Sequence, residues 1–253
     1  RSPGSALKPF TYALGIERNI LYSTEMLLDD SLDYGLYNPE NYVGKYRGLV
    51  SATYALRHSL NVPSVTVLDR IGYDDLQRLL TCSGLTTLVK PADYYGLGLT
   101  LGNCEVRLDQ LTAAYCTLAN LGEYRPLKET FGAFPPSRRI LSKGTCLAMY
   151  AMLEQEFPQE FQRDIVRAEG YLPRVCWKTG TSTGNHDAWA FVFNRHYVVG
   201  VWLGNNDAKA SKYLVGARAA LPLAARIFRA LPRKTSPDWP DSGGEMREAK
   251  LCA

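Results

Sequence analysis

At 253 residues, with 46% hydrophobic and 21% charged residues, the chain is long enough to bury one sizeable core. Its composition excludes a disordered or low-complexity polymer. The net charge of +4 (29 basic minus 25 acidic residues) is carried by scattered basic side chains, which argues against a nucleic-acid partner. No run approaches the roughly 20 apolar residues of a membrane span. The six cysteines lack CxxC spacing and histidine neighbours, so no metal or cofactor is expected.

Taken in chain order, the apolar segment after Ser5 predicts a first helix that starts close to Ser5, because Pro9 is tolerated only within a first turn. Leu49, Ala52, Leu56 and Leu60 predict a second helix over Gly48 to Leu60. Two short helices follow, Val62 to Ile71 and Asp74 to Leu80, broken by Gly72. Leu108, Leu111, Tyr115 and Leu118 keep helical spacing up to a stop at Gly122, and Ser142 opens a helix through Leu153. Cys116 and Cys146 sit among apolar neighbours in these helical stretches and read as packed free thiols.

The period then shortens. Val175 to Ser182 reads as a strand, and Asp187 to Phe193 with Tyr197 to Leu203 as a hairpin around Asn194-Arg195-His196. A last helix runs from about Gly216 to Leu231, with Pro222 delaying its start or bending it. Beyond Pro232 the chain turns polar and linker-like. Helices followed by an antiparallel hairpin indicate an α+β fold.

Three short motifs carry the chemistry: Ser5-Ala6-Leu7-Lys8, Ser59-Leu60-Asn61 and Lys178-Thr179-Gly180-Thr181-Ser182. Each alone arises by chance, S-x-x-K as a solvated helix face and S-x-N as an ordinary helix end. Together and in this order they outline an acyl-transfer site with a serine nucleophile, a lysine and no histidine. Lysine three residues after serine on a helix shares its face. Lys8 can act as a base if burial and a second cation, Lys178, depress its pKa. Ser59 can relay a proton, while Asn61 can accept from Lys8 and donate to a substrate carbonyl. Lys178, Gly180 and Ser182 alternate with Thr179 and Thr181, and Gly180 permits close approach of another backbone. Lys178 and a threonine hydroxyl would bind a carboxylate, which leaves open how Thr181 and Lys178 share a pocket unless the strand is irregular at Gly180. The histidines at 58, 186 and 196 have no evident carboxylate partner and there is no G-x-S-x-G elbow, so a Ser-His-Asp triad is not supported. Trp189 and Trp202 read as core residues.

The surroundings of these motifs extend the likeness. Arg1-Ser2-Pro3-Gly4-Ser5-Ala6-Leu7-Lys8-Pro9-Phe10 resembles the nucleophile segment of class A penicillin-binding proteins. Gly96 to Val106 and Ala113-Ala114-Tyr115 through Asn120-Leu121-Gly122 are similar to the segments that follow it, and Trp177 to Ser182 with Asp187-Ala188-Trp189-Ala190 is similar to the 1C branch.

The resemblance implies a serine β-lactamase/transpeptidase-like fold, with a helical region packed on an antiparallel sheet. It also implies a peptidoglycan D,D-transpeptidase. In that family Ser5 would be acylated by the penultimate D-Ala of a stem peptide, and Lys8 would be the base. Ser59, Asn61 and Lys178 would carry protons and position substrate. Thr179 and Thr181, next to Gly180 and Ser182, would hold the terminal carboxylate, and the N–H groups of Ser5 and Thr181 would form an oxyanion hole. The implied partners are stem peptides ending in D-Ala-D-Ala, β-lactams and cell-wall synthesis proteins, at the periplasmic face of a bacterial inner membrane. Residues 1–232 would be the transpeptidase domain, with its N-terminal strands missing. Residues 233–253 would be a linker and the start of a C-terminal accessory domain, and the parent would carry a glycosyltransferase domain and a membrane anchor.

Two other functions fit the motifs. A serine β-lactamase would need a glutamate that activates water. Roughly three dozen residues past Ser59, where that glutamate is expected, stand Asp93-Tyr94-Tyr95, and Glu105 falls in the transpeptidase-like segment. A non-catalytic sensor module would keep Ser5 and Lys8 and bind β-lactam or peptidoglycan without turnover.

Overall fold

The computed structural model describes all residues except 32–37, 43, 129, 134, 162–173, 233, 235, 242 and 244–253. The run Asp187–Phe193 is buried at every position because it is the middle strand of an antiparallel sheet covered on both faces. Its neighbours are Cys176–Thr181 and Val198–Gly204, giving Lys178 opposite Phe191 and Gly180 opposite Trp189. These are β5, β6 and β7 in an account that begins with β1 (Met26–Asp29), β2 (Gly48–Ser51), β3 (Glu123–Tyr124) and β4 (Arg138–Arg139). The helices are α1 (Lys8–Glu17), α2 (Ala52–Arg57), α3 (Asn61–Ile71), α4 (Tyr73–Cys82), α5 (Ala92–Tyr95), α6 (Leu108–Ala119), α7 (Lys143–Leu153) and α8 (Ala220–Ala230). Short 3-10 helices cover Gly4–Leu7, Gly96–Leu101 and Thr183–Asn185.

Strand alternation divides the core into two layers. Trp189, Phe191 and Phe193 join the large cluster under α1, α6 and α7, whereas Ala188, Ala190 and Val192 pack with Leu221, Ala224 and Phe228 of α8. Tyr115 of α6 stacks on Phe191 with ring centroids 4.2 Å apart and meets Phe10 of α1 edge-on. The α+β reading holds, with helices on both sides of the antiparallel sheet.

Most expected elements are present. Pro9 lies in the first turn of α1, and Pro222 in the first turn of α8, which starts later than Gly216. The stretch Gly48 to Leu60 differs. Its first four residues pair with β1, Val50 opposite Leu27, and the helix starts only after Ser51, whose hydroxyl accepts from the Tyr54 N–H. The helical spacing of Leu49 was coincidental, because a good N-cap serine and a partner strand decide the conformation there. The linker expected after Pro232 lies partly outside the described residues. Within it, Trp239 packs edge-on against Tyr150, and the Asp238 carbonyl accepts from the Arg195 N–H.

Candidate active site

Ser5 sits in a 3-10 turn, not in α1 itself, and Lys8 is the first residue of α1. Residues three apart eclipse in a 3-10 turn, so both side chains still share one side. The turn is clamped from several directions. The Trp189 indole donates to the Ser2 carbonyl at 2.7 Å, the Tyr115 hydroxyl donates to the Ala6 carbonyl at 2.7 Å, and the Ser2 hydroxyl donates to the Gly102 carbonyl at 2.8 Å. Gly4 has φ +53°, and a Cβ there would meet the Thr181 carbonyl oxygen at 2.3 Å. Gly180 answers from β5, where a Cβ would stand 2.2 Å from the Pro3 carbonyl oxygen. Two glycines therefore bring the Ser5 turn and β5 into backbone contact.

Lys8 is completely buried, and its ammonium donates to three acceptors. These are the Ser59 carbonyl at 2.6 Å, the Leu60 carbonyl at 3.0 Å and Asn61 Oδ1 at 2.7 Å. Ser59 has φ +59° and Leu60 is extended, which turns successive carbonyls inward before α3 begins at Asn61. From β5, Lys178, 1% exposed, donates to the Ser59 hydroxyl at 2.8 Å and to its neighbour's carbonyl, Thr179 O, at 2.9 Å. The Ser5 hydroxyl is half-buried and has no hydrogen-bond partner among the described residues.

Burial lowers the Lys8 pKa well below the ordinary lysine value, the Lys178 charge lowers it further and the Asp29 carboxylate opposes them. Burial alone brings Lys178 to about 7. Lys178 thus plays the part expected of a second cation, but desolvation is the larger cause. A neutral Lys8 would keep two of its three bonds and present a lone pair, which a serine hydroxyl held across an eclipsed turn can use.

On β5 the alternation is strict, with Lys178 and Gly180 buried on one face and Thr179 and Thr181 half-buried on the other. No irregularity at Gly180 brings Thr181 round. Its hydroxyl instead accepts from the Gly216 N–H at 2.9 Å, ahead of α8. The Ser182 N–H donates to Asp187 O, so alternation directs the Thr181 N–H to the open edge of β5. The first N–H groups of the Ser5 turn likewise have no carbonyl within their own helix. The Ser182 hydroxyl accepts from the His186 and Asp187 N–H groups and builds the turn that ends β5. A cleft of about 950 Å³ beside this centre is lined by Asn61, Ser182, Tyr94, Tyr95, Glu40 and Glu105 among others.

The structure brings Lys8, Ser59, Asn61 and Lys178 into one bonded network. It adds residues that carried no motif signal: Asp29, Asn41, and the Tyr115 and Trp189 clamps. Tyr115 and Trp189 lie inside the family-like segments, but their polar tips gave no sign of what they would hold.

Residues 1–217 match the family described as "Penicillin binding protein transpeptidase domain". Among curated proteins, the chain is 32% identical over 230 residues to penicillin-binding protein 1C of Escherichia coli, covering 90% of this chain and 29% of that protein. It is 34% identical over 253 residues to penicillin-binding protein 1A of Aquifex aeolicus, covering 92% and 33%. The chain therefore spans about a third of the length of these relatives. Among solved structures, the penicillin-binding protein PonA1 from Mycobacterium tuberculosis superposes with a TM-score of 0.77 at 20% identity, over 95% of this chain and 72% of that one. The same protein in complex with penicillin V superposes at 0.73 and 19% identity, over 96% and 73%. The fold is shared with these structures, and the extent of the family match settles membership: the chain belongs to the transpeptidase domain family of the penicillin-binding proteins.

Proposed function

We propose that this chain is the acyl-transferring part of a peptidoglycan D,D-transpeptidase in which Ser5 is the nucleophile. The observation that carries the reading is the buried pair of lysines meeting at Ser59 beside a clamped serine turn. Ser5 Oγ attacks the carbonyl carbon of the penultimate D-Ala and its proton passes to Lys8 Nζ. The C–N bond breaks, and the terminal D-Ala leaves with a proton delivered through Ser59 and Lys178. An amine of a second stem peptide then attacks the ester and forms the cross-link. Its proton replaces the one given up by Ser59 and Lys178, and the proton held on Lys8 returns to Ser5 Oγ as the ester C–O bond breaks. The N–H groups of Ser5 and Thr181 receive the oxyanion. Asn61 orients the peptide, and Thr179, Gly180, Thr181 and Ser182 form the wall that takes the carboxylate end. β-Lactams acylate Ser5 as mimics of the same substrate.

In this reading residues 1–232 are the transpeptidase domain and residues 233–253 are a linker and the start of a C-terminal accessory domain. The whole protein works at the periplasmic face of a bacterial inner membrane, beside other cell-wall synthesis proteins, and also carries a glycosyltransferase. The test is intact and peptide mass spectrometry after penicillin treatment, followed by incubation with a peptide ending in D-Ala-D-Ala and an amine acceptor. The expected result is one penicilloyl adduct on Ser5 and an amide product from the peptide. An adduct elsewhere, or none on folded protein, overturns the assignment, and an adduct without peptide product favours a sensor.

A further inference from the structure

Behind the S-x-N turn lies a second polar layer that none of the three motifs contains. Asp29, at the end of β1, is completely buried. Its carboxylate accepts the Asn41 amide on both oxygens, at 2.7 and 3.0 Å, and the Arg47 N–H at 2.8 Å. Asn41, 6% exposed, also donates to the Lys45 carbonyl at 3.0 Å. With every donor engaged, its Oδ1 faces outward and accepts the Asn61 N–H at 2.8 Å. That N–H is an orphan donor at the start of α3, and the preceding residue, Leu60, provides no side-chain cap. The adjacent Glu40 carbonyl accepts the Asn61 side-chain amide at 2.6 Å. Asn61 is thus held at backbone and side chain by two consecutive residues of another segment. With Nδ2 on a carbonyl, its Oδ1 is left for Lys8.

We propose that Asp29 and Asn41 are a positioning pair for the acyl-transfer site: anchored by the buried carboxylate, Asn41 locks Asn61 so that its carboxamide oxygen meets Lys8. The inference rests on the reading of Ser5 and Lys8 given above. A purely structural plug would need neither the amide orientation nor a net charge. Asp29 supplies a buried negative charge that acts on Lys8 in the sense opposite to Lys178. Among the described residues these are the two charged groups acting on Lys8. Ser59, Leu60 and Asn61 do not ionise, and Tyr12 on α1, one turn away, is pushed upward by its burial.

The experiment measures the second-order rate of Ser5 acylation by a fluorescent penicillin from pH 5 to 9, with thermal melts, on the full chain. The variants are Asn41→Ala, Asp29→Asn and the exchange Asp29→Asn with Asn41→Asp. Asn41→Ala leaves a part-buried N–H and a buried carboxylate under-satisfied and should slow acylation about 10- to 100-fold. Asp29→Asn removes the charge that favours protonated Lys8, so the acid limb of the profile should move to lower pH. The exchange keeps an acceptor for the Asn61 N–H and one negative charge, and should recover most of the rate lost in Asn41→Ala. Folded variants with the parental rate and an unmoved acid limb overturn the proposal. A rate loss that follows only the unfolded fraction, with the limb unmoved, also overturns it. If Asn41→Ala does not fold, the limb in Asp29→Asn and in the exchange variant decides. Failure of the folded parent chain to label at Ser5 refutes the underlying reading instead, whatever the variants do.

Discussion

Lys178 Nζ donates to Ser59 Oγ at 2.8 Å across a sequence separation of 119 residues. That bond joins the sheet to the helical region at the point where the Ser59 carbonyl also accepts from Lys8. One residue with a left-handed backbone therefore touches both lysines, with its hydroxyl on one and its carbonyl on the other. In the proposed reaction the proton taken from Ser5 by Lys8 and the proton given to the leaving group through Ser59 and Lys178 are held by groups that meet at this one residue.

The first prediction concerns pH. Lys178 has a folded pKa of about 7, below its unfolded value, so between pH 7 and 8.5 the unfolded chain binds more protons and stability rises with pH. Lys8 acts in the same sense. Above about pH 8.5 the trend reverses. Buried Cys104 and Cys146, each pushed up to about 12, and Cys116, pushed up to about 11, stay protonated when folded but ionise when unfolded. Urea midpoints at pH 7 and 8.5 should show a gain of about 1.5 kcal/mol from Lys178 alone, absent in Lys178→Met. A parental midpoint that does not rise contradicts the buried-lysine account.

The second concerns the base. Ser5→Ala should abolish penicillin labelling, because the other serine hydroxyl of the centre, Ser59 Oγ, is already bonded to Lys178. Lys8→Arg should reduce it at least about 100-fold, since a guanidinium stays protonated and is planar where Lys8 meets three converging acceptors. Lys178→Ala should cost about 10- to 100-fold by leaving Ser59 without its partner. Labelling of Lys8→Arg at the parental rate assigns the base elsewhere.

The third separates contact from flexibility. Gly180→Ala puts a methyl group 2.2 Å from the Pro3 carbonyl and 3.0 Å from Ala6 Cβ. It should destabilise by about 1–3 kcal/mol and displace the Ser5 turn, so acylation falls further than stability alone explains. Gly144→Ala, in α7 with open space around the new methyl, should instead stabilise by about 0.5–1 kcal/mol and leave acylation alone. Melting curves and labelling rates read together check both.

The fourth concerns release of the acyl group. Glu40 and Glu105 line the cleft, but neither hydrogen-bonds Ser5, Lys8, Ser59 or Lys178 through its carboxylate. The buried Asp29 carboxylate is engaged by Asn41 and the Arg47 N–H. With no carboxylate among the described residues bonded to these groups, the penicilloyl adduct should persist for many minutes. Adduct lifetime is the measurement, in the parent and in Glu40→Gln and Glu105→Gln. Release within seconds that either variant slows by tenfold or more establishes a β-lactamase.

Much of the candidate site was legible in the chain itself. Ser5, Lys8, Ser59, Asn61 and Lys178 were marked because acyl transfer restricts which residue types and short spacings can serve, and such spacings survive in a linear string. The helices α3, α6 and α7, the strand of Lys178 and the hairpin after it were legible for a related reason: period and punctuation are local properties. β1 and β2 were not, because a four-residue strand is defined by its partner, and Leu49 fits a helical spacing as well as a pairing with Leu28.

The sequence by itself determined the candidate reacting groups and the order in which they occur. Tertiary structure alone decided what each group touches. No local rule places Asn41 under Asn61, puts the Tyr115 hydroxyl on the Ala6 carbonyl 109 residues away, or sends the Thr181 hydroxyl to Gly216. The lysine pKa values belong to the same category. They arise from desolvation, and desolvation exists only once β5, α1 and α3 have closed around Lys8 and Lys178 and excluded water from both ammonium groups.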